Sequence, residues 1–366
     1  MSDTAVYIHI PYCKSKCGYC DFCSSPDTST ADAYTDELIR RIKLCEPGNA
    51  ASIYFGGGTP THIGAERLIR VLDALSSRFH LSSDCEISTE CNPGTADEGE
   101  LRKLRLAGFN RISAGIQTAV PEELAALGRT SHTVDDGKKL FANARRTGFD
   151  NINLDLMYGI PGQSMESLEK SLSFVTDLGP EHVSAYALRL EEGTPLYGAR
   201  PRLPDDDTVA DMYGMINEAL SENGYKRYEI SNFAVPGREC RHNLRYWTGG
   251  DYIGIGVSAA SLVGNTRYLQ PPGMDAFLSG AEPDPVETLD RAGTEAEYIM
   301  LRLRLTEGID KSDFKNKFDA VFDEKYGKRI KKYVDGGFAV NTDERFYLTD
   351  KGVFVSNTVI ADLIYD

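Results

Sequence analysis

The sequence predicts an α/β fold, an open partial (β/α)6 barrel followed by a small winged-helix-like α+β domain. Three observations support this prediction: extended apolar runs alternate with helical patterns, polar residues follow the ends of successive runs, and the C-terminal part is mostly helical. Strands that alternate with helices form parallel βαβ units. Six units are too few for a complete eight-stranded barrel, and the periodicity alone also permits a flat, doubly wound sheet.

Each βα unit begins with a short apolar run and continues with a pattern of helical period. The first predicted helix, for example, places Leu38, Ile39 and Ile42 on one face. The predicted strands cover residues 5–10, 52–55, 85–90, 111–117, 151–157 and 182–188. The helices assigned between and after them cover residues 33–44, 66–79, 98–106 and 206–222.

The barrel pattern fades after residue 232. Residues 238–264 are rich in glycine and aromatic residues and predict strands and loops that cover the open side of the barrel. The predicted domains are a core barrel (1–235), an extension (236–285) and a C-terminal domain (286–366). Within the last, we predict helices at 295–305, 311–318, 320–334 and 351–364, with a hairpin formed by 338–341 and 346–348.

Composition excludes several classes of protein. The chain has 366 residues, of which 41% are hydrophobic and 26% charged, as in a globular protein. It contains no run of about 18 apolar residues, no secretory signal and no framework-like spacing of its eight cysteines, so we expect a cytoplasmic protein. Its net charge of −15 disfavours nucleic acid and anionic membranes as partners. The C-terminal domain carries 13 Lys/Arg and 16 Asp/Glu residues, so it is interpreted as a lid or docking module rather than a DNA-binding one.

Three cysteines follow the first predicted strand directly. Cys13, Cys17 and Cys20 have the spacing C-x3-C-x2-C, and a short loop of this kind can hold a cuboidal iron–sulfur cluster through its thiolates. Three thiolates on a four-iron cluster leave one iron open to another ligand. The alternatives are ordinary thiols or a zinc site completed by Cys23.

Polar and small residues recur at the C-terminal ends of the next strands. The second strand runs into Gly56, Gly57, Gly58 and Thr59, and three glycines let a backbone approach a ligand closely and expose its N–H groups. The third, fourth and fifth strands end at Glu90, Gln117 and Asp155. Any one of these residues is more often structural than functional. Together they predict a site at this end of the barrel, where such folds carry their function.

These motifs together carry a family resemblance. The cysteine loop and residues 56–61, 90–94, 111–117, 155–163 and 253–262 are similar to the radical S-adenosylmethionine (radical-SAM) family of oxygen-independent coproporphyrinogen III oxidase and its relatives. The resemblance runs from about residue 6 to residue 262, with a similar C-terminal extension. It implies a 4Fe–4S cluster on Cys13, Cys17 and Cys20, whose open iron binds the amino and carboxylate groups of SAM. It also implies SAM contacts from Tyr7, Gly56, Gly57, Gly58, Thr59, Glu90, Gln117, Arg129 and Asp155.

Two branches of that family differ in function. The oxidases decarboxylate two propionates of a porphyrinogen, whereas the heme chaperones bind heme and hand it to acceptor proteins. Residues 242–247, His-Asn-Leu-Arg-Tyr-Trp, resemble the H-N-x-x-Y-W heme motif of the chaperone branch. Imidazole is a known heme ligand, so His242 is a candidate heme contact, with Tyr246 and Trp247 offering flat apolar surface. The alternative is a buried histidine beside a core Tyr–Trp pair.

Two further features favour the chaperone branch. Only 12 residues precede Cys13, where the oxidases carry a sizeable segment, and Phe22 stands where the oxidases have a fourth cysteine. Cys23 matches neither branch and is interpreted as a free thiol near the cluster. We therefore expect a heme chaperone with a heme-acceptor protein as partner, for which a membrane-associated hemoprotein is one candidate. Dedicated coproporphyrinogen oxidation is not expected, and a radical-SAM enzyme acting on a tetrapyrrole is the alternative.

Overall fold

A computed structural model describes residues 3–365 of the chain. Six parallel strands follow one another in chain order and alternate with helices, as predicted. The strands are β1 (Asp3–Ile10), β2 (Gly48–Gly57), β3 (Phe79–Glu90), β4 (Arg111–Gln117), β5 (Ile152–Tyr158) and β6 (His182–Ala187). The helices are α1 (Ala31–Leu44), α2 (Ala65–Arg78), α3 (Glu98–Ala107), α4 (Pro121–Ala126), α5 (Val134–Arg146), α6 (Met165–Leu178), α7 (Pro195–Ala199) and α8 (Asp206–Glu222), with a 3-10 turn at Pro60–Ile63.

The sheet continues beyond both ends of this parallel core. On one side, β1 pairs in parallel with a strand that comes much later in the chain, and antiparallel strands follow it; on the other side, two short antiparallel strands extend β6. The order formed by the described residues ends in β12 and β7, so the barrel is open. The added elements are β7 (Lys226–Arg227), β8 (Asn232–Ala234), α9 (Arg241–Trp247), β9 (Tyr252–Ile255), β10 (Ala260–Val263), β11 (Thr266–Leu269), α10 (Met274–Leu278) and β12 (Asp284–Thr288).

Alternation along the strands separates the core from the barrel interior. In β1, Val6, Ile8 and Ile10 are fully buried and share one apolar core with Leu38 and Ile42 of α1. The residues between them point to the opposite face, because successive side chains of a strand alternate. The interior of the barrel is therefore free to carry polar groups.

The helix ends are set by local polar contacts. Thr133 and Ser164 form capping boxes at the starts of α5 and α6, and the Asp205 carboxylate accepts the Thr208 N–H at the start of α8. Such side chains satisfy backbone N–H groups that have no partner within the helix. They fix where each helix leaves the strand before it.

The C-terminal part has its own apolar core and the predicted winged-helix-like make-up. Ile299, Phe314, Phe322, Phe346 and Val359 pack together at its centre. Its elements are α11 (Arg291–Arg302), β13 (Ile309–Asp310), α12 (Lys311–Phe318), α13 (Phe322–Asp335), β14 (Ala339–Asn341), β15 (Arg345–Leu348), α14 (Asp350–Val353) and α15 (Ser356–Ile364), with sheet order β13-β15-β14. The domain limits at residues 235 and 285 stay a prediction.

Two sequence-based element assignments differ from the structure. The single helix predicted for residues 351–364 is broken between α14 and α15. Gly352 and the β-branched Val353 and Val355 weaken the helix there, and Phe354 packs against the ring of Tyr213 in α8 (centroids 5.2 Å apart). Residues 238–264 were predicted as strands and loops, which missed α9. Among residues 3–365, no helix is both long enough and apolar enough to span a bilayer.

Candidate functional site: a cavity inside the barrel

One cavity of about 550 Å³ runs from the loop after β1 into the barrel interior. Strands β2 to β6 all contribute to its wall, and the opening lies at their C-terminal ends, as predicted from the positions of the polar residues. Most of the predicted site residues line it: Cys13, Cys17, Cys20, Gly57, Gly58, Thr59, Glu90, Gln117, Arg129 and Asp155.

The cysteine loop is held to the barrel by backbone hydrogen bonds. Within the loop, the Cys13 N–H donates to Ser25 O (3.0 Å). The Gly18 N–H donates to Leu127 O (2.9 Å), which ties the middle of the loop to the end of α4. Backbone hydrogen bonds therefore hold this segment in place, and the thiols are not needed to fix its conformation.

All three cysteines are free and half-buried at the wall of the cavity. Cys13 Sγ lies 3.5 Å from Thr59 Oγ1, and Cys17 Sγ accepts from Arg129 Nη1 at 3.5 Å. Cys23 is exposed and is not among the residues that line the cavity. Among the described residues, no group of three or more His, Cys, Asp or Glu side chains converges on a point that could hold a single metal ion.

Arg129 is buried in the cavity wall beside the cysteine loop. It lies between α4 and α5 and is 5% exposed. Its guanidinium donates to the backbone oxygen of Gly115 (2.8 Å), to Asn92 Oδ1 (2.8 Å) and to the Tyr19 hydroxyl (3.2 Å). This bonding directs its positive charge toward Cys17 Sγ.

The fixed position of Arg129 depends on a residue that the sequence reasoning missed. A Cβ added at Gly115 would lie 2.6 Å from Asn92 Oδ1 and 2.7 Å from Arg129 Nη2. Only glycine leaves room there for these two side chains to meet. Asn92 also donates to Thr59 Oγ1 (2.7 Å), so one network joins the two sides of the cysteine loop.

Glu90 and Asp155 are the carboxylates of the cavity. Burial and the neighbouring charge of Asp155 raise the pKa of Glu90 to about 8, although a hydrogen bond from the Tyr54 hydroxyl (3.2 Å) opposes the shift. Burial also raises the pKa of Asp155, against a hydrogen bond from Asn153 Nδ2 at 2.6 Å. Two carboxyl groups whose charged forms are disfavoured by burial would be stabilised in those forms by a cationic ligand between them.

The backbone at the end of β2 makes hydrogen bonds that hold the glycine segment against the end of β1 and the start of the cysteine loop. The Gly58 N–H donates to Ile10 O (2.9 Å) and the Thr59 N–H to Tyr12 O (2.7 Å), so these two N–H groups are used within the fold, and the SAM contact of the segment stays a prediction. A Cβ added at Gly58 would come within 2.6 Å of Tyr12 O. The glycine therefore lets β2 approach the start of the cysteine loop closely. Gly56 lies outside the cavity lining.

Gln117 stands out by its backbone conformation. It ends β4 with φ 69° and is 7% exposed, while its side chain reaches the cavity. Left-handed backbone is uncommon for residues other than glycine and clusters at functional sites. This observation agrees with the predicted ligand contact, which stays a prediction.

Tyr7 lies in the barrel interior but is not among the cavity-lining residues. Its hydroxyl hydrogen-bonds to His9 Nδ1 (3.0 Å), and its ring stacks on Tyr54 with centroids 6.4 Å apart. Tyr54 itself lines the cavity. In this arrangement Tyr7 supports the wall rather than forming it.

The 242–247 motif forms α9, which enters the barrel interior beside β2 and β3. The backbone N–H groups of Arg241 and His242 donate to the Glu86 carboxylate (3.1 and 3.2 Å). His242 is 1% exposed, and its ring stacks on Tyr54 with centroids 5.2 Å apart.

Both ring nitrogens of His242 are engaged. Nδ1 hydrogen-bonds to Ser52 Oγ (3.0 Å) and Nε2 to the Tyr246 hydroxyl (2.8 Å). Burial, together with the charge of Arg111, lowers the pKa of His242 to about 3, so the ring is neutral. Ligation of heme iron by either nitrogen would first break one of these bonds. The heme role predicted for His242 and Tyr246 stays a prediction.

Trp247 lies at the other end of α9, away from the cavity. It lines a small crevice of about 50 Å³ against Tyr298 and Arg302 of the C-terminal domain. The buried Trp247 Nε1 has no hydrogen-bond partner among the described residues, and Arg304 lies over the indole ring (5.5 Å). The member of the motif that lines the cavity is Asn243, which the sequence reasoning passed over.

Comparison with known proteins decides the family. The profile of the Radical SAM superfamily matches residues 7–175, and that of the HemN C-terminal domain matches residues 296–355. The chain is 34% identical to "Heme chaperone HemW" of Lactococcus lactis, over 99% of this chain and 97% of that protein. It is 34% identical to the protein of the same name from Bacillus subtilis, over 98% of both chains.

The chain belongs to the HemW family. The Escherichia coli protein of that name is 32% identical over 97% of both chains. Members of the radical SAM superfamily use a 4Fe–4S cluster and SAM, so membership implies both cofactors. The solved structure of coproporphyrinogen III oxidase (HemN) from Escherichia coli aligns with a TM-score of 0.86 at 23% identity, covering 99% of this chain and 90% of that one. That likeness confirms the predicted fold.

Proposed function

We propose that this chain is a heme chaperone on a radical-SAM scaffold, which binds a 4Fe–4S cluster, SAM and heme and passes heme to an acceptor protein. The binding of a cluster and SAM is supported by the position of Cys13, Cys17 and Cys20. These are three free thiols at the wall of a cavity that has room for a second ligand. Thiolates are the usual ligands of such clusters. A bound cluster would supply one-electron chemistry and one iron open to SAM.

The surrounding side chains are suited to hold SAM next to that iron. Arg129 balances the negative charge of the thiolates. Glu90 and Asp155 offer acceptors for the ribose hydroxyls, the role that acidic residues perform in dinucleotide sites. Gln117 and Thr59 complete the wall on two sides. Tyr7 acts through Tyr54, on which its ring stacks.

The heme part of the proposal rests on the family and on α9. The curated relatives reported above are named heme chaperones, and this chain carries the corresponding motif at 242–247. Asn243 brings that motif to the cavity wall. The competing function is an enzyme that acts on a tetrapyrrole in the same cavity.

One sample tests both functions. Protein reconstituted with iron and sulfide without oxygen should hold about four irons, shift the Soret band of added hemin, and leave coproporphyrinogen III unchanged. The cluster-free variant Cys17→Ser should still bind hemin, because the 242–247 motif lies far in sequence from the cysteine loop. Efficient decarboxylation without heme binding would overturn the chaperone and establish the enzyme.

Transfer is tested separately. Heme-loaded protein should lose its Soret signal to an added apo-hemoprotein faster than free dissociation allows, and a membrane-associated hemoprotein is the first acceptor to try. Transfer no faster than spontaneous heme release would reduce the function to heme binding alone.

A further inference from the structure

Arg111 is the largest fully buried side chain of the protein, and its bonding is incomplete. It begins β4, is 2% exposed and lines the cavity. Its Nε is buried without a hydrogen-bond partner, and within the described part of the chain its guanidinium forms no ion pair within 4 Å. A guanidinium is always charged and has five N–H donors. A buried charge without partners is costly, so such groups are normally paired.

The Glu86 carboxylate, whose charge acts on Arg111, is already occupied. The two oxygens of the Glu86 carboxylate receive the N–H groups of Arg241 and His242, and the Cys240 thiol donates to the same carboxylate (3.5 Å). Glu86 therefore fixes the start of α9 instead of bonding to Arg111. Ser113, Asn153 and Asn243, which also line the cavity, are neutral. Asp155 also acts on Arg111, but it pairs in register with Gly115, nearer the open end, and accepts a hydrogen bond from Asn153 Nδ2 (2.6 Å).

Arg111 lies at the end of the cavity opposite the cysteine loop. The inward-facing residues of β4 are Arg111, Ser113, Gly115 and Gln117, and all four line the cavity. A strand rises about 3.3 Å per residue, so the two ends of this series are roughly 20 Å apart. Gln117 is at the open end, near the cysteines. Arg111 is at the floor.

The depth of Arg111 separates it from the predicted position of the SAM carboxylate. In the radical-SAM arrangement that the cysteine loop resembles, the amino and carboxylate groups of SAM bind the open iron, at the opposite end of the cavity. SAM has one carboxylate. An anion at the floor must come from a second ligand.

We propose that Arg111 binds a propionate carboxylate of a tetrapyrrole that enters the barrel, with Asn243 as a neutral neighbour at the same floor. This inference rests on the proposed function and names the site at which the heme is recognised. An arginine fork pairs with a carboxylate through two parallel hydrogen bonds, which suits a fixed cation with no partner of its own. It also gives the 242–247 motif a second role, since the bonds of His242 hold Asn243 in place.

The test compares heme with its propionate dimethyl ester. Arg111→Gln should weaken binding of heme by about ten- to a hundredfold, the usual cost of losing a charged hydrogen bond, and should leave the weaker binding of the ester unchanged. Arg111→Lys keeps the charge without the planar fork, so its heme affinity should lie between those of wild type and Arg111→Gln. If Arg111→Gln folds poorly, the heme affinity of Arg111→Lys still tests the contact. Arg41→Gln is the matched control, because Arg41 is also buried (6% exposed), hydrogen-bonds through Nε, Nη1 and Nη2, and lies outside the cavity lining.

The possible outcomes distinguish a failure of the Arg111 site from a failure of the proposed chaperone function. Heme affinity that is equal in wild type and Arg111→Gln overturns the site while the chaperone stands. Loss of SAM affinity by calorimetry with heme affinity unchanged also overturns it, since the carboxylate would then be that of SAM. A wild-type protein that binds no heme overturns both. Equal weakening of heme and ester would show a general packing defect, which also contradicts a carboxylate contact.

Discussion

The cysteine loop and α9 carry the two motifs that single out this chain, yet they lie in opposite environments. The three thiols are half-buried at the cavity wall, and the contacts of Cys13 and Cys17 are long, at 3.5 Å. His242 is 1% exposed, and its two ring nitrogens make hydrogen bonds of 3.0 and 2.8 Å.

The two regions differ in how much of the bonding capacity of their polar side chains is already used within the protein. A group at a cavity wall with unused bonding capacity can take a ligand without breaking anything. A group whose polar atoms are satisfied in the interior must first lose hydrogen bonds, each with a net worth of about 1 kcal/mol and a larger cost for any partner left buried and unpaired. On this basis we expect the cysteines to act as ligands and His242 to act as a structural support.

The largest expected effect tests the cysteine side of the comparison. Cys17→Ser should lose essentially all iron after anaerobic reconstitution, and Cys13→Ser and Cys20→Ser should behave alike, because a cluster of this kind needs its thiolates. Cys23→Ser is the matched control and should keep the cluster, since Cys23 is exposed and outside the cavity lining. Iron analysis showing equal loss in Cys23→Ser would mean that the ligand assignment is incorrect.

A smaller effect is expected at the carboxylates. Asp155→Ala should weaken SAM binding by about ten- to a hundredfold, or roughly 1.5–3 kcal/mol, with iron content intact, because it removes a charged acceptor and no cluster ligand. Asp150→Ala offers a control just outside β5, where the side chain pairs with Arg238 at the surface (3.5 Å). Calorimetry giving wild-type affinity in Asp155→Ala would remove this residue from the SAM site.

The support role of His242 predicts a change in stability without a change in heme coordination. His242→Ala leaves Ser52 and Tyr246 without their partner and opens a cavity, so the free energy of unfolding should fall by about 1–3 kcal/mol. Tyr246→Phe removes only one of the two bonds and should cost less. The spectrum of bound heme should be unchanged. A spectrum that loses its axial-ligand features while stability is retained would restore His242 as the iron ligand.

A separate effect concerns the pH dependence of stability. The pKa of Glu90, about 8 against an ordinary 4.5, means that the folded protein binds this proton more tightly than the unfolded chain. The resulting stability is fully present below pH 4.5 and is lost as pH rises through 8. In Glu90→Gln the unfolding temperature should depend less on pH between pH 4.5 and pH 8. Glu122→Gln changes an exposed residue of α4 and should leave this dependence as in wild type. An equally steep profile in Glu90→Gln would contradict the burial argument.

Much of the fold was predictable because its signals are local. The six βα units follow from alternating apolar runs and helical periods, and the strand ends where the function collects follow from the architecture. The break after α14 and the helix α9 were not predictable, since both depend on tertiary packing. Phe354 is held by Tyr213, and the start of α9 is held by Glu86.

The site was predictable only in part for the same reason. Cysteine spacing identified the loop, and the position of Arg129 near it came from the family resemblance alone. The backbone of β2 and of the loop uses the N–H groups of Gly58 and Thr59, which no sequence pattern reveals. Arg111 and Asn243 gave no signal, because whether a polar side chain is satisfied depends on groups far away in the chain.

The proposed function depends most directly on an iron that is open to SAM at the cysteine loop. The measurement is the electron paramagnetic resonance spectrum of the reduced, reconstituted protein before and after addition of SAM. We expect the signal of the cluster to change shape on addition of SAM in both wild type and Cys23→Ser, because the ligand binds the iron directly. A spectrum that is unchanged by saturating SAM, in a protein that binds SAM by calorimetry, would contradict a three-cysteine cluster with an open iron in this cavity.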